Sequence, residues 1–345
     1  MPIIIIRGEH VVSAPAYQGP VSDHFDGKRF FNHDPIQHSS GQFIKWILTR
    51  RPGPWRQRSE IGPAPSPPQR VSAGRLRVTF INHATTLIQM DELNILTDPT
   101  WSEDCSPLPW FGFGPRRRCP PGLGIEELPP LDAVIVSHDH YDHMNVDTLK
   151  RLVTKRGPRL FVGLGNGGFL TAQGVAGCTE MDWWQSVSLS KDVRLTSVPA
   201  RHFSGRGLFD RCRTLWSGFV IEGPAGVVYF AGDTGLGSHF QQIRRRFGPP
   251  RLALLPIGAF QPRWFMGPVH LSPEEAVEAH RILGAGTSMA IHFGTFPLGD
   301  DGQDEPVERL NRAVEAAGHG RGDFWVLGHG ECREVPPVAA KRTGP

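Results

Sequence analysis

The chain has 345 residues, 39% of them hydrophobic and 21% charged, a balance that excludes a disordered protein and favours a packed globular one. Its formal net charge of +3 does not indicate nucleic acid binding. No apolar run approaches the roughly 20 residues of a membrane span, and the opening Met1–Ile6 is too short for a signal peptide. The five cysteines contain no C-x-x-C pair. We therefore expect a soluble cytoplasmic protein with reduced thiols.

Residues 1–70 are predicted to form an N-terminal arm that ends in a proline-rich connector at 63–68. Only 41–48 predicts a helix there. The segment 43–51 combines aromatic and aliphatic residues with basic ones, so it either touches a membrane interface or packs on the body as a short helix. The main domain is predicted over residues 71–335, followed by a tail at 336–345.

Short apolar runs rich in β-branched residues predict strands from residue 76 onwards. A β-meander is expected over 76–81, 86–90 and 93–96, and further strands over 131–136, 193–198, 227–230, 252–255 and 288–291. One helix start is clear, because Ser272, Pro273 and Glu275 form a capping box. Ala276, Ala279 and Leu283 then share one face of that helix. The fold class is α/β or α+β with substantial β-sheet.

The segment 137–143 reads Ser-His-Asp-His-Tyr-Asp-His and directly follows the predicted buried strand at 131–136. Imidazoles and carboxylates at this density are poor core residues and good ligands for zinc and similar divalent ions. We expect them in a loop at the C-terminal end of that strand, where a rigid scaffold holds functional groups. The alternative interpretation is a solvated histidine loop.

Three other predicted strands are also followed by metal-compatible side chains. His202 follows 193–198, Asp233 follows 227–231, and His292 follows 288–291. A single histidine after a strand is more often structural. Four strand ends that all offer such ligands indicate a metal site.

Whole phrases of the sequence resemble the N-acylphosphatidylethanolamine-hydrolysing phospholipase D family, which has the metallo-β-lactamase fold. These phrases are Asn82–Thr85, Asp182–Trp184, Phe230–Gly235, Leu255–Phe260, Pro262–Met266 and Ser288–Phe296. The resemblance covers roughly residues 75–330, and the first 70 residues match only loosely. It implies an αββα sandwich with a dinuclear site at one edge, preceded here by an irregular arm. Relatives in the family are often dimers, which implies a homodimer.

The resemblance also implies which residues bind each metal. His138, His140 and His202 would bind one ion, Asp142, His143 and His292 would bind the other, and Asp233 would bridge both. Zinc is the expected ion, with iron or manganese as alternatives. The implied reaction is hydrolysis of an N-acylphosphatidylethanolamine-like phospholipid to phosphatidic acid and N-acylethanolamine by a metal-bridging hydroxide. Peripheral membrane contact follows from that substrate.

Several further residues are assigned supporting roles. Asp142 and His270 are the candidates for protonating the leaving group, and the alternative for His270 is to cap local backbone. Asp98 resembles the family aspartate that hydrogen-bonds a metal histidine, with a turn-forming role as the alternative. His83 either orients the same network or closes its own turn.

Two groups of residues are candidates for contacting the substrate. The run Arg116, Arg117 and Arg118 either meets a phosphate or forms a solvated face. A set of aromatic residues either lines an acyl-chain groove or builds core, namely Trp110, Phe111, Phe113, Trp183, Trp184 and Trp264.

Several other functions are alternatives to this phospholipid hydrolysis. The same fold and metals would also serve a lactone or another small ester. We do not expect a β-lactamase, because the long family phrases point elsewhere, nor a nuclease, because the segment from Asp233 to His292 leaves no room for an inserted domain. Iron-based redox chemistry is not expected without a flavin domain. A non-catalytic metal-binding protein is disfavoured because every expected ligand is present.

Overall fold

The computed structural model describes residues 5–6, 10–11, 14–15, 17–36, 40–62, 64–106, 114–207, 209–318, 320 and 322–337. Its helices are α1 (Ser40–Thr49), α2 (Val146–Arg156), α3 (Asn166–Ala172), α4 (His239–Phe247), α5 (Arg263–Met266), α6 (Pro273–Leu283) and α7 (Glu305–Ala316). Its first eight strands are β1 (Ile5–Ile6), β2 (His10–Val11), β3 (Leu76–Asn82), β4 (Thr85–Met90), β5 (Leu93–Thr97), β6 (Ala133–Val136), β7 (Arg159–Gly163) and β8 (Cys178–Met181). The later strands are β9 (Ser186–Ser188), β10 (Arg194–Val198), β11 (Gly218–Gly223), β12 (Gly226–Phe230), β13 (Leu252–Pro256), β14 (Thr287–Ile291), β15 (Phe324–Trp325) and β16 (Cys332–Glu334).

Two seven-stranded sheets form the centre of the protein. Their strand orders are β16-β3-β4-β5-β6-β7-β8 and β15-β14-β13-β12-β11-β10-β9. Strands β5 to β8 are parallel, as are β12 to β15. Strand β10 is antiparallel to β11, which is antiparallel to β12, so β10 and β12 run in the same direction. Within each sheet, the carboxyl ends of the strands that run in the same direction therefore lie at one edge.

Alternation of side chains along each strand separates the core into layers. In β6, Ile135 packs between the two sheets with Phe80 and Phe230, whereas Val134 and Val136 belong to the cluster on the opposite face, with residues of α2 and α3. A third cluster packs α4, α6 and α7 on the other sheet. The molecule is an αββα sandwich, and the predicted fold class is confirmed.

The predicted elements are found close to their expected bounds. The meander is β3 to β5, and the other predicted strands are β6, β10, β12, β13 and β14. In α6 the Ser272 hydroxyl accepts from the amide of Glu275 at 3.2 Å, and the Glu275 carboxylate accepts from the amide of Ser272 at 2.9 Å. The capping box is therefore confirmed.

The described parts of the N-terminal arm pack against the body. Trp46 of α1 stacks on Phe265 with 5.1 Å between ring centroids, and Trp55 donates to the carbonyl of Asp301 at 3.0 Å. All five cysteines lie in described segments and are free thiols. The domain boundaries at residues 70 and 335 stay a prediction. No helix in the described ranges is both long and apolar enough to traverse a bilayer.

Candidate metal centre

The loops that leave five strands meet at one edge of the sandwich. Asp98 follows β5, the 137–143 segment follows β6, His202 follows β10, Asp233 follows β12, and His292 follows β14. Because these strands point their carboxyl ends the same way, residues separated widely in sequence converge here. The structure brings all seven residues that were predicted as metal ligands into this single basin.

Three imidazole nitrogens form the first group of potential ligands. His140 Nδ1 lies 2.8 Å from His138 Nε2 and 3.2 Å from His202 Nε2. The other nitrogen of His202 lies 3.0 Å from the carbonyl oxygen of Val269, and that of His138 lies 2.9 Å from the hydroxyl of Ser137. A proton donated to Val269 leaves the Nε2 lone pair of His202 directed at its neighbours, as metal binding requires.

A carboxylate and two further histidines form the second group. Asp142 Oδ2 lies 3.2 Å from His143 Nε2 and 3.3 Å from His292 Nε2. His83 Nε2 lies 2.9 Å from the same oxygen. His83 therefore belongs to this network as well as to the turn between β3 and β4.

Asp233 lies between the two groups of histidines. Its Oδ2 is 3.2 Å from both His143 Nε2 and His292 Nε2. The same oxygen is 3.9 Å from His138 Nε2 and 3.8 Å from His202 Nε2. This position fits a carboxylate shared by two ions.

Unpartnered buried atoms show that the residues present fit a metal. Asp233 Oδ1 is buried and has no hydrogen-bond partner, and the carboxylate oxygens 3.2 Å from the buried His143 Nε2 are not placed to form a hydrogen bond with it. Such atoms are costly unless another group satisfies them. Burial alone would lower the pKa of His292, but the charge of Asp233 and hydrogen bonds to Asp142 and Asp233 raise it to about 9. The carboxylates thus require a positive charge in the basin, which a divalent cation supplies.

Three further histidines of the basin are neutral. His143 is not among them, because burial alone would lower its pKa but the charges of Asp233, Asp142 and Asp98 raise it well above its usual value. Burial is the main cause that lowers the pKa of His140, His202 and His270 to about 3 each. Burial would raise the pKa of Asp233, but the charges of His143 and His292 hold it well below its usual range. Neutral imidazoles beside ionised carboxylates are the protonation states that metal ligation needs.

Asp98 anchors the loop that carries the first ligands. This fully buried side chain accepts from the amide of Ser137 at 2.7 Å and from its hydroxyl at 2.6 Å. Its Oδ2 is also 2.6 Å from His143 Nδ1. The contact orients His143 with Nε2 toward the basin, and it is the contact that the sequence predicted for Asp98.

Backbone strain is concentrated at the same edge. His83, Asp98 and His292 have φ values of 46°, 31° and 61°. Residues other than glycine rarely adopt positive φ, and such strain persists only where surrounding contacts impose it. One such contact is the hydrogen bond of 2.8 Å from the His292 amide to the His83 carbonyl.

The basin forms the floor of a cavity of about 530 Å³. Five apolar side chains line one part of its wall, namely Phe43, Trp46, Phe265, Met266 and Leu298. His270 also lines it, with its Nδ1 3.9 Å from Asp233 Oδ2 and without a hydrogen-bond partner. Its imidazole therefore does not cap local backbone.

The arginines of the run 116–118, which were predicted either to meet a phosphate or to form a solvated face, do not line this cavity. Arg117 is buried and donates to the carbonyls of Ser102 and Thr100 and to the side chain of Asn82. Its guanidinium braces a loop and is not accessible to a substrate. Arg116 is paired with Asp104 at 3.2 Å, and Arg118 reaches the carbonyl of Gln57 at 3.3 Å.

None of the described aromatic residues that were predicted either to line an acyl-chain groove or to build core lines this cavity. Trp183 stacks on His24 with 4.4 Å between ring centroids, and Trp184 stacks on Phe247 at 6.5 Å, so both build packing away from the cavity. Trp264 is 43% exposed beside the cavity and does not line it. Trp110, Phe111 and Phe113 lie outside the described residues.

The sequence did not predict that Asn32, a residue of the N-terminal arm, contacts the predicted ligand His202. The Asn32 side chain donates to the carbonyl of His202 at 2.8 Å and accepts from the amide of His202 at 3.2 Å. Its oxygen also accepts from the indole of Trp216 at 3.2 Å. The 170-residue separation between Asn32 and His202 explains why no local pattern signals this contact.

Comparison with known proteins agrees with this geometry. The beta-lactamase superfamily domain matches residues 93–293. An uncharacterised protein of Mycobacterium tuberculosis is 40% identical over 296 residues, covering 83% of this chain and 78% of that protein. N-acyl-phosphatidylethanolamine-hydrolyzing phospholipase D 1 of Caenorhabditis elegans is 39% identical over 258 residues, covering 71% of each. The structure of a metallo hydrolase from Ignicoccus hospitalis aligns with a TM-score of 0.58 at 23% identity, covering 76% of this chain and 99% of that one.

The fold and the metal-compatible basin define a metal-dependent hydrolase. The chain belongs to the beta-lactamase superfamily, and it is homologous to proteins named as phospholipases D that hydrolyse N-acylphosphatidylethanolamine.

Proposed function

We propose that the protein is a phosphodiesterase of phospholipase D type that hydrolyses N-acylphosphatidylethanolamine-like phospholipids to phosphatidic acid and N-acylethanolamine. The observation that carries the proposal is the placement of the metal-compatible basin at the floor of a cavity with an apolar wall. Such a cavity suits a substrate with a polar reacting centre and a hydrocarbon chain. The relative named as a phospholipase D supports the choice of substrate.

The proposed cofactor is a pair of divalent ions, with zinc as the first choice because the donors are nitrogen and oxygen. One ion would be held by His138, His140 and His202, the other by Asp142, His143 and His292, with Asp233 shared. Bound there, such ions would supply a water that is deprotonated at neutral pH and positive charge for the phosphate oxygens.

His270 is the proposed proton carrier. In the reaction, the water oxygen bonds to phosphorus and the bond from phosphorus to the ethanolamine oxygen breaks, so that oxygen must gain a proton. Burial lowers the pKa of His270 to about 3, so the imidazole is neutral; it would first accept the proton that the attacking water loses and then donate it to the leaving ethanolamine oxygen. Asp142 fits this role less well, because its Oδ2 already contacts three histidines.

The test is hydrolysis of N-acylphosphatidylethanolamine in mixed micelles, with and without a chelator, followed by measurement of phosphatidic acid. We expect release by the metal-loaded protein, loss of release with chelator, and loss in His140→Ala with the fold intact by circular dichroism. A folded, metal-loaded sample that releases no phosphatidic acid would rule out this substrate and direct attention to a smaller ester or lactone.

We also propose that α1 contacts the lipid surface that presents the substrate. Four apolar side chains of α1 are between 48% and 79% exposed, namely Phe43, Ile44, Ile47 and Leu48. Phe43 also lines the cavity, so this apolar face is continuous with the proposed chain-binding wall. Lys45 lies beside it, 4.8 Å above the ring of Trp264. An exposed apolar face with a basic margin is typical of helices that lie on a membrane.

Sedimentation with vesicles of phosphatidylcholine and phosphatidic acid tests this contact. We expect Ile44→Glu/Leu48→Glu to bind vesicles at least about tenfold more weakly, because two apolar side chains no longer enter the lipid. The matched control is Val21→Glu, since Val21 is 70% exposed and outside the cavity. Equal binding by the double variant and the wild type would contradict the proposal.

A further inference from the structure

One arginine side chain, that of Arg211, lies at the wall of the cavity beside the histidines. Arg211 is the only lysine or arginine among the described residues that line this cavity. Its guanidinium carbon lies 3.9 Å from the centroid of the Phe203 ring. The Phe203 ring in turn lies 4.7 Å from the ring of His140 and 4.9 Å from that of His202. One aromatic ring therefore separates this cation from the proposed metal ligands.

The Arg211 guanidinium has no anionic partner within the described segments. Two other arginines are engaged elsewhere, since Arg206 donates to the carbonyls of Asp139 and Met144 and Arg263 pairs with Glu275 at 2.6 Å. No such hydrogen bond or ion pair holds Arg211. A guanidinium offers a planar set of donors that matches the oxygens of a phosphate, so the cavity wall presents an unused anion-binding group.

The loop that carries Arg211 is braced on both sides. The carboxylate of Asp210 accepts from the amide of Ala14 at 3.0 Å and from the amide of Gly207 at 2.8 Å. The amide of Cys212 donates to the carbonyl of Ser204 at 2.9 Å. These bonds fix the backbone on both sides of Arg211, and the contact with Phe203 limits the positions of its exposed guanidinium, which reduces the entropy lost on binding.

We infer that Arg211 is a specificity-determining residue, which contacts the anionic phosphodiester of the substrate and makes the cavity favour it over a neutral ester of similar size. This inference rests on the proposed function. Arg211 binds the charged group beside Phe203, and the hydrocarbon chain lies along the apolar residues that α1 and α5 contribute to the same cavity. The substrate is then held by its charge at one end and by its hydrocarbon chain at the other.

The experiment compares two ligands that differ by one charge, the monomethyl and dimethyl esters of dodecylphosphonic acid. Dissociation constants are measured by calorimetry on the metal-loaded full chain. We expect Arg211→Ala to bind the anionic monomethyl ester about tenfold more weakly, the size expected for one charge-assisted contact, and to bind the neutral ester unchanged. Arg211→Lys is expected to lie in between, because lysine keeps the charge and loses the planar donors.

Arg245→Ala is the matched control, since it removes an exposed arginine of α4 that does not line the cavity. Bound metal is measured in every variant and is expected to equal that of the wild type. Wild-type affinity for the anionic ester in Arg211→Ala, or no preference for that ester in the wild type, would overturn the inference. Failure of the wild type to release phosphatidic acid would instead overturn the proposed function, because the binding measurement requires no turnover.

Discussion

Replacing Asp233 with asparagine is expected to remove bound metal and to reduce hydrolysis by on the order of 10³-fold or more. The side chain keeps its size and loses its charge. Asp233 Oδ2 is within 3.2 Å of His143 and His292 and within 3.9 Å of His138 and His202, so one substitution affects both groups of ligands. Metal per chain is measured by elemental analysis of the dialysed protein.

The control for this variant is Asp192→Asn, which changes an exposed aspartate outside the cavity. It is expected to keep the wild-type metal content and rate. Circular dichroism and thermal unfolding of both variants show whether Asp233→Asn is folded. If a folded Asp233→Asn protein held the full metal content and hydrolysed substrate at the wild-type rate, the assigned centre would be wrong.

Replacing Asp98 with asparagine is expected to weaken metal binding or activity by about 10-fold to 100-fold, the usual effect of losing a group that orients a metal ligand. The carboxylate of Asp98 accepts three hydrogen bonds, two from Ser137 and one from His143 Nδ1. An amide has only one oxygen, so its NH₂ group faces one of these donors. If the NH₂ group of the introduced asparagine donates to His143 Nδ1, the imidazole proton moves to Nε2, and the lone pair of Nε2 is no longer free to bind metal.

Competition with a chromogenic chelator and the visible spectrum of the cobalt-substituted protein measure this effect. The matched control is Asp132→Asn, because Asp132 also accepts from a backbone amide, that of Asn94 at 2.7 Å, just before the amino end of β6. That variant is expected to lose stability and to keep the metal affinity. An Asp98→Asn protein with a wild-type cobalt spectrum and wild-type chelator competition would show that Asp98 does not orient the ligand.

Several strands and the start of one helix were accessible from local patterns, whereas the αββα arrangement was implied by the family resemblance. The run at 131–136 predicted β6 because β-branched residues suit a buried strand, and the capping box predicted where α6 begins. Helices α2, α3, α4, α5 and α7 were not predicted. In α7 only Pro306, Leu310 and Val314 are buried, so its apolar stripe is too narrow to stand out in the sequence.

The arginine run shows where local patterns mislead. Three consecutive basic residues look equivalent, yet Arg117 is buried among carbonyl oxygens while Arg116 is exposed in an ion pair. Which of them enters the interior depends on the path of a loop across Asn82 and Thr100. Long-range packing sets that path, and no periodicity encodes it.

The sequence alone predicted where metal ligands would lie, because His202, Asp233 and His292 each follow an apolar strand and the others lie in the 137–143 segment, and the family resemblance assigned the seven ligands to two ions. Only the tertiary structure decided what surrounds them. Asn32 reaches His202 across 170 residues, and Arg211 reaches the cavity by stacking on Phe203. The tendency of a segment to form a strand depends on a few residues that are neighbours along the chain. The contacts of Asn32 and Arg211 form only after both sheets and the arm have packed together.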